Sequence, residues 1–431
     1  MGNIAKTIHY LKRNGLIDTW YAVRERTDRR HMDELSRFML DYRGREALTE
    51  KEISAQKMHV FEREYSFSIV VPAYETKEVY LKELIDSVLS QTYKKWQLVI
   101  ADASPSDRVE RVVKTYQDKR ICYARLKENR GISANTNEAL TFATGDYVGL
   151  LDHDDVLTQD ALYEVMLALQ ETEYAFLYTD EDKTDSLMEH YYEPHIKTKF
   201  NLDLFLSNNY ICHFLVMKRE MISTLGFREE MDGAQDYDLV LRAVRRLIEE
   251  EVAQNGQEAM TFLHAMFREK IGHVPKILYH WRCHEASTAA NPESKRYAYE
   301  AGLRALSDFI EAMHWDAGAV HSRHLGFYHI VYHKPIWEVR PDVAAVGGNV
   351  IKRGIVARSV VLEGRELFRG LHHKYSGYMH RAAMYMDVDR LPDGCTVIRP
   401  KLSMELEKAV EQGMCLLYDP AWRKGKDENK L

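Results

Sequence analysis

Cysteine is scarce in this 431-residue chain: there are five, odd in number, far apart and never in a C-x-x-C pair. That pattern argues against a disulfide framework and a thiolate zinc site, and it fits a reducing cytoplasm. Long apolar runs are missing as well. No segment reaches the roughly eighteen apolar residues of a membrane span, and the first thirty residues lack the apolar core of a signal peptide. There is no excess of positive charge either: the formal net charge is -7, so nothing draws the chain to polyanions and no nucleic-acid partner is expected. The start, Met1-Gly2-Asn3, approaches a myristoylation signal but places Lys6 where Ser or Thr is wanted, so lipidation is not expected. With 45% hydrophobic and 29% charged residues the composition is that of a globular protein, and the length suggests two or three domains.

What the chain does have is an apolar run that stops in acids: Val148-Gly149-Leu150-Leu151-Asp152-His153-Asp154-Asp155. It reads as a buried parallel strand, and helical spacing at Leu162, Val165, Met166 and Leu169 comes after it. Clustered carboxylates at the end of such a strand repel one another unless a cation or hydrogen-bond donors compensate them. A Mg²⁺-like ion that also carries phosphates would do so. A helix cap explains one acid, not three.

The rest of the chain surrounds this run with similar units. Phe67 to Tyr74 is a β-branched run stopped by Pro72, followed by an amphipathic helix through Leu81, Leu84, Ile85 and Val88. Trp96 to Ser104 repeats the plan, so a doubly wound, mostly parallel α/β sheet is expected, with Tyr74, Glu75 and Asp102 facing one crevice. The turn Asn129-Arg130-Gly131-Ile132-Ser133-Ala134-Asn135 opens a helix whose N–H groups could meet phosphate or ribose; a plain turn accounts for it equally well. Phe176 to Asp182 reads as a second buried run ending in acids. Gly233-Ala234-Gln235-Asp236-Tyr237-Asp238 starts a helix, and Asp236 is either a general base or, with Asp238, an N-terminal cap. Ile277 to His284 closes the series; period two places His280, Arg282 and His284 on one face, a credible setting for a metal-ligating histidine.

Taken in order, Val70-Val71-Pro72-Ala73-Tyr74, Ser87 to Tyr93, Asp102, Gly131-Ile132-Ser133, Leu151 to Asp155, Tyr178 to Asp182, Gln235 to Leu239 and His280 to Thr288 resemble the family 2 glycosyltransferases over roughly residues 66 to 290. The resemblance is to bacterial enzymes of surface polysaccharide synthesis of the rhamnan or O-antigen type. It implies a GT-A fold, a nucleotide-sugar donor, Mn²⁺ or Mg²⁺ and inversion at the anomeric carbon. Carried onto this sequence, Pro72, Tyr74, Glu75 and Asp102 hold the base and ribose, with Gly131 and Asn135 in the same crevice and Asp152 near the ribose. Asp154 binds the metal, His284 approaches it from the far side, and Asp236 is the catalytic base. Asp155 is left as the cap.

The expected organisation is a helical N-terminal region (1-65), a GT-A domain (66-325), an incomplete second glycosyltransferase-like domain without catalysis (326-418) and a charged tail (419-431). The stretch between Arg246 and Gly272 looks longer than the family's usual link; it reads as extra helix near the acceptor side or, the favoured reading, a plain surface excursion. The first thirty residues hold seven Lys or Arg against three acids, which admits peripheral contact with an anionic membrane beside the plainer reading of a solvated helix. The expected partners are a UDP- or dTDP-sugar and a glycan or lipid-linked acceptor, and the expected location is the cytoplasm, with the inner face of the plasma membrane as a further option. Two alternatives compete: a sugar-nucleotide pyrophosphorylase, which would need a glycine-rich loop where Val71-Pro72-Ala73-Tyr74-Glu75 has no glycine, and a non-catalytic scaffold of a glycan assembly complex, which needs no base.

Overall fold

The computed structural model describes residues 3–284 and 296–422. Glu285 to Thr288 of the last motif and residues 423–431 of the expected tail lie outside the described residues. Three helices come first: α1 (Asn3–Glu25), broken at Gly15 where φ is +79°, α2 (Glu34–Asp41) and α3 (Glu50–Met58). Asp33 caps α2 through the Ser36 N–H at 2.8 Å, and Thr49 and Glu52 form a reciprocal cap on α3.

The main sheet is built from β1 (Phe67–Ala73), α4 (Glu78–Leu89), β2 (Trp96–Asp102), α5 (Arg108–Val113), β3 (Ile121–Arg125), α6 (Ile132–Leu140), β4 (Tyr147–Leu150), β5 (Val156–Leu157), α7 (Ala161–Glu171), β6 (Phe176–Thr184), β7 (Tyr191–His195), α8 (Leu202–Ser207), β8 (Leu215–Lys218), α9 (Arg219–Leu225), α10 (Gln235–Asn255), α11 (Leu263–Lys270) and β9 (Ile271–Arg282), with α12 (Arg296–Ala312) beyond it. The strand order is β3-β2-β1-β4-β8-β6-β9-β5, with β7 beside β6. Strands β1 to β4, β6 and β9 share one direction, while β8, β7 and β5 run against them. The sheet is therefore mostly parallel, as expected. Both faces are covered: Ile69 and Val71 pack toward α4, α5 and α7, whereas Val70, Val99 and Val148 pack toward α6 and α10. At Gly145, just before β4, a Cβ would lie 2.7 Å from the Ser68 backbone nitrogen, so only glycine allows the chain this close to β1.

Two sequence expectations change here. The acids of β6 do not end the strand; it continues to Thr184, and Asp180, Glu181 and Asp182 are all buried within it. The stretch after α10 is not a plain surface excursion. Leu263, Met266 and Phe267 of α11 are buried, and the His264 N–H donates to the Gly413 carbonyl at 3.1 Å. Charged runs at Glu249 to Glu251 and Arg268 to Lys270 flank this stretch, which is why it reads as surface, whereas the apolar residues that dock it lie between them.

After α12, residues 343–418 contain a second sheet in the order Met386–Val388, Cys415–Tyr418, Val343–Gly347, Thr396–Ile398. Its apolar residues Ala344, Met386 and Leu416 belong to the same buried cluster as Leu204 and Phe205, and a polar tie is added to this packing. Fully buried Arg340 forms paired hydrogen bonds to Asp203 of α8 (2.9 and 2.9 Å) and to Asp342 (2.8 and 2.7 Å). Removing one partner of such a group leaves buried carboxylates without compensation. Arg340→Met is expected to lower the unfolding free energy by about 3–5 kcal/mol in urea titration, in one transition that reports both parts. An unchanged midpoint would show that the clamp does not hold the two together.

Candidate active site

The acid-ended strand lies where expected. After β4, the Leu151 N–H donates to the Val70 carbonyl at 3.1 Å, and the chain turns through Asp152 to Asp155. Asp155 does not cap a helix. α7 begins at Ala161 after Asp160, and the Asp160 carboxylate is held by Arg45. Asp155 is instead 1% exposed and joins two strand ends, since it accepts hydrogen bonds from the Tyr279 hydroxyl and from the Arg282 backbone N–H at 2.7 Å. Burial, with Asp154 and Asp152 adding their charge, pushes its carboxyl well above the usual range.

That joint fixes the end of β9. The Arg282 guanidinium donates to the Asp154 carbonyl at 2.7 Å, pairs with Glu83 of α4 at 2.7 Å and lies 4.4 Å from the centre of the Tyr80 ring. Two residues later, His284 Nε2 reaches Asp154 Oδ2 at 2.7 Å while its ring stacks on Tyr80. Both side chains of this pair remain partly open to solvent. The proposed metal ligands thus come together from separate strand ends. His280 does not join them; its Nδ1 meets Asp182 Oδ1, which also keeps Asp182 out of the crevice.

Asp152 has a side chain that is 45% exposed, and its Oδ2 lies 4.0 Å from His213 Nε2. Loss of solvation raises its carboxyl, His213 opposes this, and Asp154 and Asp236 add to it. Asp152, Asp155 and His213 also offer ligand atoms within 4.8 Å of one another, although both Asp155 oxygens already accept protein hydrogen bonds. Asp236 sits in the first turn of α10 without capping it, and its Oδ2 accepts from Asn209 Nδ2 at 2.8 Å. Asp238 is structural, buried between Arg228 and Arg242.

The nucleotide-side residues occupy the neighbouring strand ends. Pro72 pairs with Ala101, and Ala73 with Asp102. Tyr74 is exposed, and Glu75 accepts from the Ser106 N–H at 3.1 Å with Arg108 beside it. Asp102 is buried, with Oδ1 on the Ser104 N–H at 2.9 Å and Oδ2 on Tyr123 (2.8 Å) and Arg125 (3.1 Å). A contact of 3.0 Å between Thr76 Oγ1 and His153 Nδ1 joins this loop to the acid turn. Gly131 and Asn135 are engaged elsewhere. Asp232 accepts from the Ser133 N–H at 3.1 Å at the start of α6, and Asn135 bonds within its own turn to Asn129 and Arg130.

Sequence reasoning placed Arg282 on the right face and passed over His213, Asn209, Tyr279, Glu83 and Tyr80 as members of this group. Tyr279 stood in the quoted strand, but its period-two neighbours Ile277 and Trp281 are apolar and give no signal. Glu83 and Tyr80 are helix residues whose partners are some two hundred positions away, and no local pattern reveals them.

Residues 68–226 match the family model described as Glycosyl transferase family 2. This segment is a family 2 glycosyltransferase domain. Together with the mostly parallel main sheet, it gives the chain the GT-A fold class implied by its sequence. The match contains the β1 loop, Asp102 and the acid turn, whereas Asp236 and His284 lie beyond it. Among curated relatives, the chain is 36% identical over 248 residues to an uncharacterized protein of Sinorhizobium fredii, y4gI, covering 56% of this chain and 25% of that protein. It is 35% identical over 248 residues to the O-antigen biosynthesis protein RfbC of Myxococcus xanthus, covering 56% of this chain and 18% of that one. The chain thus spans a quarter or less of the length of these two relatives. A solved structure of S. aureus TarS with UDP-GlcNAc aligns at TM-score 0.42 and 18% identity, over 57% of this chain and 66% of that one.

In this glycosyltransferase domain the acids of β6 support the site from behind. Asp180 pairs with His273 at 2.9 Å, and Glu181 accepts from the His213 N–H at 3.1 Å, close to His195 and Lys197. Burial raises the Glu181 carboxyl, but Lys197 and the two histidines more than reverse this and hold it at about 2, below its ordinary 4.5. Folding therefore gains from the ionised carboxylate above pH 4.5, and this gain is lost as pH falls from 4.5 toward 2. Urea titrations across that window should show a steep acid loss of stability in the wild type and a shallower one in Glu181→Gln. Equal slopes would remove Glu181 from the acid response.

Proposed function

We propose that the chain transfers a sugar from a nucleotide-sugar donor to a glycan or lipid-linked acceptor in surface polysaccharide synthesis, with inversion at the anomeric carbon. The observation that carries this reading is the contact between Asp154 and His284, partly open to solvent, with Asp152 near enough to feel the charges of both Asp154 and Asp236. The name of the M. xanthus relative, an O-antigen biosynthesis protein, points to the same class of product.

A carboxylate and an imidazole from different strands suit a divalent ion such as Mn²⁺ or Mg²⁺, so Asp154 and His284 would hold it. When bound, such an ion supplies charge neutralisation for the diphosphate that leaves. The loop from Pro72 to Glu75 and Asp102 receive the base and ribose, with UDP favoured over dTDP, and half-open Asp152 faces the ribose. Gly131 and Asn135, engaged within their own turn beside Asp232, take no direct part in holding the donor. Asp236 takes the proton of the acceptor hydroxyl as that oxygen bonds to the anomeric carbon and the bond to the diphosphate breaks. Its Oδ2 is oriented by Asn209, and a single displacement of this kind inverts the centre. Residues 326–418 support the fold and do not take part in catalysis. The Arg340 clamp to Asp203 of α8 is one of their ties to the main-sheet domain.

Asp236→Asn should lower transfer of labelled sugar by about 10²–10⁴ while calorimetry shows nucleoside diphosphate binding as in the wild type. Transfer at the wild-type rate would mean that Asp236 is not the base.

A further inference from the structure

Helix α1 is turned inside out. At 3.6 residues per turn, Leu16, Ile17, Trp20, Val23 and Arg24 fall within about a third of the circumference after the break at Gly15, with Asp18, Tyr21 and Glu25 on the other side. An ordinary amphipathic helix buries its apolar stripe. Here Leu16 is 78% exposed, Ile17 73%, Trp20 53% and Val23 46%, and the polar side faces the protein. Glu25 accepts from the backbone N–H groups of Ser376 (3.1 Å) and Gly377 (2.7 Å). Asp28, just past the helix, accepts from the Tyr375 hydroxyl at 2.7 Å, Asp18 lies 3.7 Å from Arg323, and Tyr21 stacks on His372.

The same packing turns the acids toward the protein. All three acids of the first thirty residues have partners in the C-terminal half, while Lys12, Arg13, Arg24, Arg26, Arg29 and Arg30 are exposed, Arg24 also 3.6 Å from Asp28 and Arg29 3.1 Å from Asp41. The Arg24 guanidinium lies 5.0 Å from the centre of the Trp20 ring, so cation and aromatic share one surface. A contiguous exposed apolar face marks an interaction site, and one rimmed by cations and carrying a tryptophan has the composition of a helix lying in a membrane interface. A second copy of the chain would have to bring this cationic face against itself. No described helix is long and apolar enough to cross a bilayer.

We propose that α1 is a peripheral membrane anchor. Leu16, Ile17, Trp20 and Val23 enter the lipid surface, and the surrounding Lys and Arg side chains select anionic headgroups. This inference stands apart from the sugar-transfer reading, because no residue of the crevice takes part in it.

The test is flotation of the full chain with vesicles of phosphatidylcholine, with and without phosphatidylglycerol, at low and high salt. The expected result is binding to the anionic vesicles alone, weakened by salt. Leu16→Ser with Ile17→Ser should cut that binding by about tenfold or more, and Lys12→Gln and Arg13→Gln by about fivefold each. Melting temperatures should stay unchanged, because all four side chains are exposed. Three outcomes would overturn the proposal: no binding to either vesicle, binding that the double serine variant retains in full, or a concentration-dependent dimer in ultracentrifugation that this variant abolishes.

Discussion

A single buried carboxylate, Asp155, holds together the two strand ends on which the crevice depends. It takes the Tyr279 hydroxyl and the Arg282 N–H from β9 while belonging to the turn after β4. A carboxylate removed from water is costly unless donors replace its hydration, and these two donors do so in part. The consequence is positional. With Arg282 fixed, its guanidinium locks onto the Asp154 carbonyl and onto Glu83, and His284, two residues on, meets Asp154. The electrostatic strain of three acids in four positions is thus divided. One is buried as a joint, one is paired with a histidine, and one faces the open crevice.

The second group of acids meets the same constraint differently. Asp180, Glu181 and Asp182 lie within β6, and each has a histidine near it: His273, His195 and His280. Glu181 also fixes the backbone of His213, which stands over Asp152. The layer behind the crevice is therefore a rigid polar network rather than a second ligand site, and it sets the electrostatic surroundings of the first.

The sheet was legible because its strands are continuous apolar runs bounded by Pro72, Gly145 and acids, and its helices carry apolar residues at helical spacing. The pairing of Asp154 with His284 was legible only through the order of motifs, since 130 residues separate them. Three features stayed hidden for physical reasons. Asp155 has the composition of a helix cap, and only the late start of α7 at Ala161 shows that it is not one. The Gly131 turn could have opened to phosphate, but Asp232, about a hundred positions on, closes it. The outward apolar face of α1 has the same spacing as an inward one, and periodicity does not say which side meets water.

The central claim is that Asp154 and His284 make the crevice a site for a nucleoside diphosphate carried by a divalent cation. Calorimetric titration of UDP into the wild type and into His284→Ala, each with Mn²⁺ and with chelator, tests this most directly. The expected result is UDP binding by the wild type that requires Mn²⁺ and that falls by at least about tenfold in His284→Ala. Binding of equal strength with chelator, or unchanged in the variant, would contradict it.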